Sequence, residues 1–334
     1  MRRRDFVSNC FVSGAFLGSA RSPLAEPPLA AQDLTRPGMP FDVVVEHPVS
    51  GKPHAGKVLA AIQPHTDDVP IFAGGTVAKL VAEGYTGYLL RTSNDEMVGT
   101  GTTGERVVEN ERDTDAVAKA LGLTKVYNLG YRNHEMDDLS RQEMRERFIY
   151  LIRLLKIDTI LCYDPWQLYE ENPDHYVTAQ VVESACWMAG RDLDYPEHFD
   201  AGLKPHDVTE KYYFARGPQI VNRVVDISPW IDRKVDANLA NKTQGPGGEN
   251  GARLRAKLAA EKRQLPILGN SDDTANRAFI KNFVLDSDSL YQRGVPSDRE
   301  TGKKYGLDWA EPFHYIGPPQ SNLDTYIAKN AVAL

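Results

Sequence analysis

The chain has 334 residues, of which 41% are hydrophobic and 25% charged, and it carries a formal net charge of -7. That composition suits a globular chain large enough for one substantial α/β domain, and the acidic balance argues against a nucleic-acid partner, whose phosphates need a basic face. A small neutral or cationic substrate is easier to accommodate. Beyond the N-terminus no apolar run approaches the length of a membrane span, so the mature chain is expected to have none. Oligomeric state is not encoded in any pattern here.

The first residues differ in kind from the rest. Arg3-Arg4-Asp5-Phe6 follows Met1-Arg2 and precedes a mild apolar stretch from Val7 to Ala20, then small residues and prolines. This order resembles a twin-arginine export signal, with cleavage after Ala20 or Ala25 and delivery to a bacterial periplasm or the exterior. Residues 1–40 therefore read as signal and linker, and 41–334 as the working domain. Cys10 falls in the signal, whereas Cys162 and Cys186 read as small buried hydrophobes. A fold without disulfides agrees with export in the folded state.

Phe41 to Glu46 is an expected strand, followed by a turn around His47-Pro48 and Gly51-Lys52-Pro53. The run Val58 to Ile62 is a strand buried on both faces, as in a parallel sheet. It leads into Pro64-His65-Thr66-Asp67-Asp68. One imidazole and two carboxylates within four positions can supply two metal ligands and a base, or merely a polar turn that caps the next helix. In open α/β sheets such chemistry gathers at the carboxyl ends of the strands. Phe72 to Glu83 then has helical spacing and stops at Gly84.

Gly87 to Arg91 is the next strand, opening into Thr92 to Glu96, and the Gly/Thr stretch Gly99 to Gly104 reads as a flexible lid. A helix from Glu105 to Leu121, a strand from Lys125 to Leu129, a helix from Ser140 to Lys156 and a buried strand from Ile157 to Tyr163 follow. The polar loop Asn133-His134-Glu135-Met136-Asp137-Asp138 is a weak ligand set. This alternation predicts an α/β fold with a doubly wound, mostly parallel sheet.

The loop Asp164 to His175 precedes a helix from Tyr176 to Ala189 and places His175 at the same crevice as His65 and Asp68. Two ligands close in sequence, one distant and none further leave a coordination position open, as catalytic zinc sites do. Farther on, Tyr212 to Ala215, Gln219 to Val221 and Arg223 to Val225 read as short strands, and Trp230 to Asn241 and Arg253 to Gln264 as helices. Ser271-Asp272-Asp273 and Asp286-Ser287-Asp288 read as turns. Trp166, Tyr169 and Trp309 are aromatic candidates for stacking on a ligand or for core packing.

Pro64-His65-Thr66-Asp67-Asp68 after one buried strand and Asn172-Pro173-Asp174-His175 after a later one resemble the PIG-L or LmbE-like family of metal-dependent N-deacetylases. Val225-Asp226-Ile227, Lys234, Gln244 and Ala310-Glu311-Pro312-Phe313 are similar to that family's later blocks. The resemblance implies His65, Asp68 and His175 as zinc ligands and Asp67 as general base. It also implies a Rossmann-like sheet in a single catalytic domain with a C-terminal extension, and an N-acetylglucosamine-type amino sugar or glycoconjugate as substrate. Iron(II) is the alternative metal, because His/Asp/His ligation suits both. Tyr169 is the expected donor to the carbonyl oxygen as charge develops on it.

The chain departs from the family pattern at Asn172, where a histidine is common: Asn can donate a hydrogen bond but cannot act as a general acid. Val69 likewise stands where an acidic residue is frequent. The thinner proton inventory leaves a catalytically silent, metal-containing carbohydrate-binding protein as the second reading. A non-haem iron oxygenase is the third, since two His and one carboxylate also form a facial triad.

Overall fold

Strand residues with period two bury alternate side chains on opposite faces of a sheet. The computed structural model describes residues 43–286, 293–318 and 322–332. Its strands are β1 (Val44–Glu46), β2 (Val58–Gln63), β3 (Thr86–Ser93), β4 (Lys125–Tyr131), β5 (Thr159–Tyr163), β6 (Glu210–Phe214), β7 (Arg223–Asp226) and β8 (Ala310–Ile316). They make one 8-stranded sheet in the order β1-β7-β8-β6-β5-β2-β3-β4. All neighbours are parallel except β8, which runs antiparallel to β6 and to β7. The α/β class and mostly parallel sheet expected from the sequence are therefore observed.

The helices are α1 (Asp68–Phe72), α2 (Gly74–Ala82), α3 (Thr103–Leu121), α4 (Arg141–Leu155), α5 (Pro173–Ala189), α6 (Glu197–Asp200), α7 (Ile231–Ala240), α8 (Asn250–Ala260), α9 (Asp272–Phe279), α10 (Asp298–Lys304) and α11 (Asn322–Asn330). None among the described residues is long and apolar enough to cross a membrane. The export signal, Cys10 and the Ser287-Asp288 part of the second acidic turn lie outside the described residues.

Alternation divides the core in two. Leu59 and Ala61 of β2, Leu161 and Tyr163 of β5, and Tyr212 and Phe214 of β6 face one cluster, closed by α2, α3 and α7 through Val77, Leu121 and Val235. Ala60, Ile62, Ile160, Cys162 and Tyr213 face the other, closed by α4 and α5 through Phe148, Ile152, Val181 and Ala185. Each fully buried Leu, Ile or Phe contributes roughly 1.5–3 kcal/mol. Cys162 and Cys186 are free and buried, as their apolar surroundings suggested.

Topology fixes where the site can be. From β2 the chain moves outward to β3 and β4, then returns to place β5 on the opposite side of β2. Strand order reverses at the β2/β5 junction, and the loops leaving these two strands diverge there and open a crevice. The motifs around His65 and His175 are those two loops.

Two sequence expectations are corrected. The helix expected from Phe72 to Glu83 is α2, which begins only at Gly74, and a separate short helix that was not expected, α1, precedes it across a break at Ala73 (φ -141). The break lets the Glu311 carboxylate accept from the free amides of Gly75 (2.9 Å) and Thr76 (2.8 Å) at the start of α2. Gly75 is required there, because a Cβ would lie 2.7 Å from Ile227. Gln219 to Val221 is not a strand: it follows Pro218, and Asn222 instead bonds both the backbone N–H and the carbonyl of Tyr315 through its side chain. Conversely, β8 and α9 were not anticipated; Pro312 interrupts the strand pattern, and Ser271 is the N-cap of α9 rather than a turn residue.

Glu311 and Lys234 explain two of the later sequence blocks. Lys234, with a side chain 0% exposed, donates to Glu311 Oε1 and to Asp298 Oδ2, both at 2.6 Å. Glu311→Ala would uncap α2 and leave the buried ammonium with one partner, so it should cost about 3–5 kcal/mol of stability. Chemical denaturation of the two proteins measures this directly.

Candidate metal centre

The turn after β2 is closed by its own side chain. Asp68 Oδ2 accepts the backbone N–H of His65 at 2.8 Å, and Gln63 Oε1 accepts that of Val69 at 3.0 Å. Beneath them Thr66 is held by Asp95, whose Oδ2 accepts from its N–H (3.2 Å) and hydroxyl (3.0 Å) and from the buried Arg91 (3.2 Å). The second loop contributes through Asn172, the N-cap of α5, whose side-chain oxygen accepts from the Asp174 N–H at 3.0 Å, with Pro173 in the first turn. That cap aims His175 back across the crevice.

Three donor groups meet there. His65, Asp68 and His175 each offer one ligand atom, and these atoms all lie within 4.8 Å of one another. His65 Nδ1 and His175 Nε2 face each other at 3.0 Å, with Asp68 Oδ2 3.4 Å from the first and Oδ1 3.5 Å from the second. The far nitrogen of each ring meets a carboxylate: His65 Nε2 lies 3.0 Å from Asp174 Oδ2, and His175 Nδ1 lies 3.3 Å from Glu170 Oε2. Asp68 Oδ1 accepts from the Tyr163 hydroxyl at 2.7 Å, and the Tyr163 ring stacks on His175 with centroids 4.3 Å apart.

This arrangement fits a metal ion. Protons on the two outer nitrogens leave two lone pairs pointed at each other beside a carboxylate, a repulsive set unless a cation stands among them. Without metal, a proton takes that place. Burial opposes charge on His65, yet hydrogen bonds to Asp174 and Asp68 raise its pKa well above 6.5. Burial likewise opposes ionisation of Asp68, but the neighbouring His175 and His65 hold its pKa well below 3.8. Two His and one carboxylate suit zinc or iron(II), and the set has no fourth protein ligand.

Asp67 stands beside this cluster. Among the described residues its carboxylate accepts no hydrogen bond from another residue, and burial together with the adjacent Asp68 pushes its pKa up to about 7. Gly245 closes the far side; a Cβ there would lie 2.8 Å from the Asp67 carboxylate, and its φ of +79 also requires glycine. Gln244 precedes it and is buried.

The other expected site residues fall differently. Tyr169 is 85% exposed, with a left-handed backbone (φ 61), and its hydroxyl does not enter the cluster. The tyrosine that does is Tyr163, the last residue of β5, and its proton is engaged by Asp68. Asn172 lies at the rim, where its oxygen caps α5. The loop of Asn133 and His134 supports the site: the Asn133 amide (3.0 Å) and the His134 N–H (2.8 Å) donate to Asp174 Oδ2. His134 also forms a second close group with His65 and Asp174, but its side chain is exposed. Trp309 is buried in the core, His314 bonds Asp164 at 3.1 Å, and the 99–101 stretch is pinned by Arg106 to the carbonyls of Glu96 and Gly101.

Sequence reasoning missed Asp174, Glu170 and Arg216. Asp174 had a legible signal, since it lies inside the Asn-Pro-Asp-His block. The pairing of Glu170 with Arg216, 2.6 Å from Nη2 to Oε1, spans 46 positions and had none.

Comparison with known proteins agrees with the geometry. The family described as PIG-L: GlcNAc-PI de-N-acetylase matches residues 60–186, which run from β2 to α5 and hold every donor above. A diacetylchitobiose deacetylase of Thermococcus kodakarensis is 32% identical over 200 residues, covering 57% of this chain and 71% of that protein. This chain belongs to the PIG-L family. Among solved structures, this PIG-L chain is similar to the N,N'-diacetylchitobiose deacetylase from Pyrococcus horikoshii, with TM-score 0.57, 21% identity, and coverage of 80% of this chain and 88% of that one. It is also similar to GalB, the 4-carboxy-2-hydroxymuconate hydratase of Pseudomonas putida KT2440, with TM-score 0.55, 15% identity, and coverage of 80% and 98%. The PIG-L fold thus carries more than one chemistry, and the site must decide between them.

A metal ion bound between His65 and His175 would compete with a proton for their facing nitrogens. His65 in the metal-free protein stays protonated above pH 6.5, so the competing proton is fully present at low pH and lost as pH rises through the folded value. Apparent zinc affinity should therefore fall by about tenfold per pH unit below that value and level off above it. Competition titrations with a chromogenic chelator between pH 5.5 and 8.5 read this dependence.

Proposed function

We propose that the protein is a metal-dependent N-deacetylase that releases acetate from an N-acetylglucosamine-type amino sugar or glycoconjugate. The observation that carries the reading is the convergence of His65, Asp68 and His175 at the strand-order reversal, with the unengaged Asp67 carboxylate beside them. The names of the relatives support an acetamide on an amino sugar as the bond cleaved. The Arg3-Arg4-Asp5-Phe6 start supports action outside the cytoplasm after twin-arginine export.

A zinc ion held by His65, Asp68 and His175 would act as a Lewis acid and lower the pKa of water at the open position to about 7. Asp67 is the base that removes a proton from the attacking water. It holds that proton at a carboxylate oxygen that no protein donor occupies, and then passes it to the leaving amine. Asn172 cannot share this work, because a carboxamide is neither an acid nor a base of useful strength near neutral pH. Its Nδ2, which donates no hydrogen bond among the described residues, could still donate to a substrate. Asp174, through His65, and Tyr163, through Asp68, keep the ligands oriented without touching substrate.

The test is acetate release from a panel of N-acetylated amino sugars, with metal content measured on the same preparation. Release that stops on chelation and returns with zinc supports the reading; bound metal without acetate release moves weight to the silent sugar-binding protein. Asp67→Asn should keep the metal and lower turnover by about a hundred- to ten-thousandfold, whereas His175→Ala should lose the metal. Wild-type turnover in Asp67→Asn would exclude it as the base.

A further inference from the structure

Glu170 lies in the loop between β5 and α5, and its side chain is 2% exposed. An isolated carboxylate buried there would be strongly destabilising, so the groups it faces account for its presence. Oε1 accepts from Arg216 Nη2 at 2.6 Å and from the Asn172 N–H at 2.9 Å. Oε2 accepts from Arg216 Nε at 3.2 Å and lies 3.3 Å from His175 Nδ1. That nitrogen is buried and has no hydrogen-bond partner among the described residues; the Glu170 carboxylate stands beside it at an ion-pair distance, short of an aligned hydrogen bond. It is also the nitrogen turned away from the donor cluster, because Nε2 is the one that faces His65.

A carboxylate on the outer nitrogen of a ligating histidine places the proton there, leaves the inner nitrogen its lone pair and fixes the ring plane. We propose that Glu170, clamped by Arg216, is a positioning residue that orients His175 toward the metal; the proposal rests on the metal reading given above. The arrangement pairs with the other histidine: His65 takes its outer carboxylate from Asp174, on the loop that carries the second ligand, and His175 takes its own from five residues upstream. Arg216, in the segment after β6, keeps the Glu170 carboxylate charged and in place.

Glu171 is a built-in control. It belongs to the same loop and holds it through Arg293 at 2.7 and 2.8 Å and Arg216 at 3.3 Å, but its side chain is 57% exposed and it has no contact with His175. Loss of Glu171 loosens the loop; loss of Glu170 frees the ligand.

The experiment is a zinc titration of the full chain against a competing chelator, for wild type, Glu170→Ala, Glu170→Gln and Glu171→Ala, repeated with cobalt(II) to read the ligand field by visible absorption. Glu170→Ala should bind zinc about 10–100-fold more weakly and show an altered cobalt spectrum. Glu170→Gln, which keeps an acceptor for Nδ1–H and a partner for Arg216, should recover much of the affinity, and Glu171→Ala should match wild type in both readouts. Wild-type affinity in Glu170→Ala would overturn the proposal while leaving the metal reading intact. Equal losses in Glu170→Ala and Glu171→Ala would overturn it too, by assigning the effect to loop order. A wild-type chain that takes up neither ion would remove the metal reading and this proposal together.

Discussion

Two imidazole nitrogens held 3.0 Å apart, with a carboxylate beside them, are the constraint on which the rest of this molecule turns. Such a set is tolerable only with a positive charge at its centre, whether a proton on His65 or a metal ion. Everything around it serves to hold the repelling groups in place. Asp68 closes its own turn, Tyr163 spends its hydroxyl on Asp68, and Asp174 accepts three donors on one oxygen. The polar groups beneath, from Arg91 through Asp95 to Thr66, keep that turn from relaxing. Asp67, adjacent to so much engaged machinery and bonded to none of it, is the group left to move a proton.

The sheet provides the rigid frame that such an arrangement needs. Both ligand-bearing loops leave strands that are neighbours in the middle of the sheet, with β2 paired to β5 and both flanked by further strands. Neither strand can shift without disturbing the two core clusters on its faces. The histidine positions are set by the sheet, whereas the loops set only their approach angles. Relatives that share the fold but differ in chemistry are understandable on the same grounds, since the strand ends are a platform and the loop residues are the tools.

The strand and helix alternation from Val58 to Ala189 was legible because its strands are short apolar runs and its helices carry conventional caps, Thr102 with Glu105 and Ser140 with Glu143 among them. His65, Asp68 and His175 were legible because they stand in compact blocks at strand ends. What escaped was decided between distant positions. Tyr169 reads as a donor in its loop, whereas in the structure it is exposed with a left-handed backbone, and the hydroxyl bonded to Asp68 belongs to a strand residue six positions earlier. The capping of the α2 amides by Glu311 spans more than two hundred positions, and no local pattern around Ala73 reports it. β8 was hidden for a related reason: as the antiparallel strand between β6 and β7, it is specified by its neighbours more than by its own Pro-containing sequence.

The tie between Glu311 and the start of α2 also bears on how the chain matures. The helix that follows the ligand turn receives its amide cap from a residue in the last strand of the sheet, and that strand must slot between β6 and β7 before the outermost β1/β7 pair is joined to the rest. An emerging chain can form β2 to β5 early, but it cannot complete the first motif's surroundings until nearly all of it has left the ribosome. Folding of the centre is thereby coupled to the completion of synthesis, and a nascent or C-terminally truncated chain that stops short of Glu311 would carry all three donor residues without the brace behind them.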